Sequence, residues 1–75
     1  MRLSFDMREH YQIMNRIKRK IAEIMSWNIG EFEMYETGTR DGRPNWEIKH
    51  DNSNVYFSFT AFDEDDIHGL HMVEN

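Results

Sequence analysis

The sequence predicts an α+β fold: one long N-terminal amphipathic helix packed on a three-stranded antiparallel meander, with room for a short C-terminal helix (αβββ or αβββα). Three observations predict it. Apolar residues recur at helical spacing over residues 6 to about 27. Strand-like alternation occupies three later segments, and turn-forming residues separate those segments. Seventy-five residues make a single domain, 1–75.

The helix is the best-marked element. Asp6 and Glu9 fit a capping box, in which Asp6 accepts from first-turn amides and Glu9 reaches back to the cap. Met7, Met14 and Ile21 recur every seven residues, and His10, Ile17 and Ile24 form the companion row. Tyr11, Ile13 and Met25 widen the stripe, as a helix lying on a sheet requires. Gly30 is the expected exit, because glycine adopts the left-handed cap conformation without steric cost.

In the first strand, residues 31–35, Phe32 and Met34 point one way and Glu31, Glu33 and Tyr35 the other. Asp41-Gly42 suits a tight hairpin turn. Trp46 and Ile48 then alternate with Glu47 and Lys49, and Asp51 to Asn54 marks a second turn. Val55, Phe57, Phe59 and Ala61 alternate with Tyr56, Ser58, Thr60 and Phe62 in the third strand. Phe32, Trp46, Phe57 and Phe59 should form the core with Ile17, Ile21 and Ile24. Beyond them, Asp63 to Asp66 opens an apolar stretch, as acidic residues at a helix start do. Gly69 weakens that helix, and a docked tail is an equal expectation.

A chain this short buries only about 60% of its unfolded surface, so its core is thin. Small scaffolds compensate with disulfides, metals or self-association. With no cysteine, a disulfide frame is excluded, and a homodimer is the expectation. No apolar run approaches the length of a membrane span. The N-terminal stretch lacks an apolar signal core, so a cytoplasmic setting is expected (host cytoplasm if the protein is viral). A content of 13% aromatic residues separates the chain from disordered sequences.

The charge is divided. Residues 1–30 carry six basic side chains against three acidic ones, and residues 31–75 carry three against eleven, for a net charge of −5. Glu31, Glu33 and Glu47 fall on the outer face of the expected sheet, and Asp63, Glu64, Asp65 and Asp66 would extend that negative band. Carboxylates at i and i+2 on a strand lie about 6.6 Å apart. One DNA strand carries a phosphate about every 3.4 Å, so neighbouring strands or a second subunit must supply the rest. Tyr35 and Tyr56 fall among these acids, a mixture that suits an interface. In outline, a short, acidic, cysteine-free α+β chain is similar to the small host-takeover proteins of bacteriophages, some of which mimic DNA.

These features predict a protein-binding inhibitor that presents carboxylates in place of phosphates to a DNA- or RNA-processing enzyme. Glu31, Glu33, Tyr35, Glu36, Glu47, Tyr56, Asp63, Glu64, Asp65 and Asp66 are the expected contact residues. The alternative is an antitoxin-like regulator, with a basic helix on nucleic acid and an acidic segment neutralising a protein. Arg16, Lys18, Arg19 and Lys20 spread over about 200° of the helix rather than one stripe, so direct nucleic-acid binding is not expected.

No enzyme activity is expected either. Ser26, Ser53 and Ser58 stand in no nucleophile motif, and four scattered glycines cannot cradle a phosphate. His68 and His71, three residues apart beside Asp65, form the nearest approach to a metal motif, but the spacing needs a helix that Gly69 opposes. No metal or other cofactor is expected.

Overall fold

A computed structural model of the chain describes the backbone of residues 5–73 and the side chains from Arg8 to Val73. The proposed capping contact of Asp6 and the place of Met7 on the apolar stripe lie outside the described residues.

Helix α1 spans Phe5–Met25. It ends earlier than its apolar period suggests, and Gly30 does not end it. Ser26 takes the left-handed conformation (φ 59°). The Ser26 N–H then donates to the Glu23 carbonyl (3.3 Å), and the Trp27 N–H to the Ala22 carbonyl (2.9 Å). Those two bonds satisfy carbonyls that the last turn would otherwise leave open. Trp27 folds back onto the core, its ring centroid 5.4 Å from Phe32 and 5.8 Å from Phe57.

Four strands follow, not three: β1 (Phe32–Arg40), β2 (Arg43–His50), β3 (Tyr56–Thr60) and β4 (His68–Val73). They pair in chain order as an antiparallel meander. The β1–β2 turn is Asp41-Gly42, with φ of 56° and 76°. Positive φ at both central residues lets a two-residue turn match the twist of the strands it joins. The expected C-terminal helix is absent because residues 68–73 complete the sheet instead. The third strand is shorter than its alternation suggested, and Phe62 lies beyond it, 53% exposed.

Alternation assigns the faces. Phe32, Met34, Trp46, Ile48 and Phe59 turn toward α1 and, with Ala61, Ile17 and Ile21, form the buried core. Phe57 is only half-buried against it, and Ile24, expected inside, is 48% exposed. The Trp46 ring fills the centre and donates its Nε1–H to the Ala61 carbonyl at 3.0 Å.

Candidate functional site: the uncovered face of the sheet

The single helix covers one face of the sheet and leaves the other open. Register places the residues of that open face in cross-strand rows. The first row runs Glu33, Lys49, Tyr56, Val73; the second runs Tyr35, Glu47, Ser58, His71. A third row, Asn45, Thr60, His68, leads to the Arg40–Arg43 pair beside the hairpin turn. The face therefore carries two carboxylates and two tyrosines around Lys49 at one end and is cationic at the other.

A polar belt separates the ends. Asn45 Nδ2 donates to Thr37 Oγ1 (2.7 Å), Ser58 Oγ donates to Asn45 Oδ1 (3.3 Å), and Arg43 Nε donates to Thr60 Oγ1 (3.2 Å). These bonds let Ser58 and Thr60 lie buried, 5% and 7% exposed, between taller neighbours.

The ten expected contact residues do not form one surface. Glu33, Tyr35, Glu47 and Tyr56 lie together at the acidic end. Burial, then the Glu47 carboxylate, holds the Tyr35 phenol above its ordinary titration range. The Glu33 carboxylate makes no ion pair or hydrogen bond among the described residues, and no cation there pairs with Glu47.

Four of the expected carboxylates are engaged within the fold. Glu31 precedes β1, where its carboxylate accepts from the Asn28 N–H and contacts His50 Nε2 at 2.8 Å. The Asn28 bond first, then the His50 bond, keeps the Glu31 carboxyl below its ordinary range. Glu36 turns toward the helix side, its Oε1 3.5 Å from His10 Nε2, while the His10 ring stacks on Trp46 at 5.9 Å.

Asp63 receives a two-pronged contact from Arg16, Nε to Oδ1 at 3.1 Å and Nη2 to Oδ2 at 2.8 Å. Asp66 Oδ1 accepts from the Phe62 and Asp63 N–H groups (2.9 and 2.8 Å), and Oδ2 accepts from Arg43 Nη2 at 2.9 Å. The Arg16 bond chiefly lowers the Asp63 carboxyl, and the Asp63 N–H chiefly lowers that of Asp66. The acidic run is thus a loop-closing device, with Glu64 and Asp65 on the helix side beside Arg16, Arg19 and Lys20.

The basic helix is partly engaged as well. Arg16 holds Asp63, and the Lys18 ammonium sits 5.2 Å from the Phe32 ring centre. Among the described residues no three His, Asp or Glu side chains gather as metal ligands, and no helix is long and apolar enough to cross a membrane. Compared with protein families, curated proteins and solved structures, the chain matches none.

Proposed function

We propose that the protein is a non-enzymatic, acidic binding protein that engages a protein partner through the acidic end of its uncovered sheet face. The observation that carries this reading is the grouping of Glu33 and Glu47 with Tyr35 and Tyr56 on adjoining strands. Neither Glu33 nor Glu47 makes an ion pair within the fold, so meeting Lys or Arg of a partner breaks none. Tyrosines add rigid, amphipathic contact area at low entropic cost. Charge complementarity then sets association rate and specificity more than raw affinity.

The partner class we favour is a DNA- or RNA-processing enzyme, whose groove displays the basic side chains such a patch recognises. The protein would act there as an inhibitor, its carboxylates occupying positions that phosphates take. An extended band of mimicry draws on eight carboxylates, four of which are held inside the fold. The mimicry we propose therefore rests on the compact patch of Glu33 and Glu47. The antitoxin-like alternative has less support, because Arg16 and Lys18 already make contacts within the fold.

Affinity capture from a bacterial lysate tests the proposal. A protein retained at low salt, released by high salt and identified as a nucleic-acid-processing enzyme is the expected outcome. Retention that is insensitive to salt contradicts it, because exposed charge pairs are screened at about 1 M ionic strength. A mobility-shift assay at low salt adds a second check: a phosphate-mimicking surface should not shift DNA.

A further inference from the structure

The cationic end of the open face forms a cleft of about 530 Å³, lined by Arg40, Asp41, Arg43, Thr60, His68 and His71. We propose that this cleft is a binding site for a phosphate group, with Arg40 as its principal ligand and His68 and His71 as its imidazole wall. It uses different residues from the acidic patch and does not depend on that reading.

The strand geometry gathers the cations. Arg40 and Arg43 face each other across the two-residue turn, so both guanidinium groups emerge on the same side of the sheet. Like charges placed opposite each other are unfavourable without an anion between or beside them. Arg43 has one: Asp66 Oδ2 at 2.9 Å, with the Asp66 carbonyl accepting from the same nitrogen at 2.6 Å. Phe62 covers that guanidinium, its ring centre 5.0 Å away. The Arg40 guanidinium makes no salt bridge or hydrogen bond among the described residues, and its planar fork remains available for bidentate contact with an oxyanion.

The histidines reach the cleft through an irregularity in β4. Residues three apart on a regular strand point to opposite faces. Here Ser58 pairs with His71 and Thr60 with His68, so β4 holds one residue more than β3 over this stretch. Gly69 absorbs that extra residue at φ 67°, a conformation other residues adopt only with strain. The bulge thus brings both imidazoles to the same cleft. It also leaves position 69 without a side chain where the Arg40 guanidinium passes, 3.9 Å from the place a Cβ would take.

Arg43 is already balanced by Asp66, so the cation the cleft offers a ligand is Arg40, beside Asp41 at the turn. The His71 Nδ1–H donates to the Gly69 carbonyl (2.6 Å), which leaves Nε2 as the ring nitrogen not used by that bond.

The test is titration of the full chain with inorganic phosphate and, separately, with O-phosphoserine, at constant ionic strength. It is followed by NMR of the Arg40 Nε–H, the imidazoles and the Gly69 amide. Saturable shifts with a Kd in the millimolar range are expected for both probes. Arg40→Gln, at an exposed position with no internal bonds, should weaken binding at least about tenfold, as loss of a charge-assisted contact implies. Saturation by O-phosphoserine alone would narrow the ligand to esters, and by inorganic phosphate alone to the free ion. Either keeps the site. Absence of saturable shifts for both probes, equal affinity in Arg40→Gln, or equal binding of acetate overturns it.

Discussion

On the helix side of the sheet, Phe32, Trp46, Ile48 and Phe59 are no more than 2% exposed. On the other side the same strands leave Glu33, Tyr35, Glu47 and Tyr56 in contact with water or half so. Each face is internally consistent, but they are built differently. The covered face relies on apolar area removed from water, worth about 25 cal/mol per Å², with the buried Trp46 indole N–H bonded to the Ala61 carbonyl. The open face relies on a hydrogen-bonded belt at its centre and leaves its charges at the two ends. Stability should therefore reside on one face and recognition on the other.

The largest effect is expected on the covered face. Ile21 is fully buried, and Ile21→Ala should cost about 2–5 kcal/mol. Chains of this length have only about 4–11 kcal/mol in all, so the urea midpoint should fall steeply. Trp46→Phe should cost about 1–3 kcal/mol, because it leaves the buried Ala61 carbonyl without its donor. A loss below half a kilocalorie per mole for either would show that the core lies elsewhere. Ser26→Gly should have the opposite sign. It relieves a left-handed serine at the helix end and should raise stability by about 0.5–1 kcal/mol in the same denaturation assay.

Titration effects come next. Asp63, Asp66 and Glu31 are held below their ordinary values. The unfolded chain therefore takes up protons first as pH falls. The stability these groups supply should be complete above about pH 4 and lost progressively below it. Asp63→Asn should flatten that acid limb of a thermal-unfolding series, and an unchanged limb would show that the Arg16 contact is inactive in solution. Tyr35 shifts the other way. Its contribution should persist up to about pH 10 and decline above, as the unfolded phenol ionises first. Tyr35→Phe should remove the latest phase of the phenolate absorbance titration.

Much of this division was legible in the sequence. The helix, the hairpin turn and the inner faces of β1 and β2 follow from period and turn chemistry, because each obeys one rule throughout its length. β4 was not legible, since the bulge at Gly69 breaks its alternation and leaves a segment that reads as neither strand nor helix. Nor was the helix end, where a serine adopts a conformation usually assigned to glycine. The candidate face was legible only in part. Alternation placed Glu33, Tyr35, Glu47 and Tyr56 together, because register follows from the pattern of the strands. It could not show that Arg16 closes on Asp63, 47 residues away, or that Arg43 closes on Asp66. Counting acids along the chain treats each as free, whereas ion pairing depends on how distant segments meet.

The smallest stability effect belongs to the double variant Glu33→Gln/Glu47→Gln, which removes both charges without setting a second lysine opposite Lys49. At partly exposed positions that make no ion pair, each change should stay within about 0.5 kcal/mol. The same variant gives the most direct test of a binding site at the acidic end when compared with Glu9→Gln/Glu23→Gln, which makes an equal charge change on the exposed helix surface. Binding to the captured partner is measured for both by surface plasmon resonance at low salt. The first variant should lose most of its affinity while keeping the wild-type unfolding temperature, and the second should bind nearly as the wild type does. Equal losses in the two, or none in the first, would contradict a binding site on the acidic end of the open face.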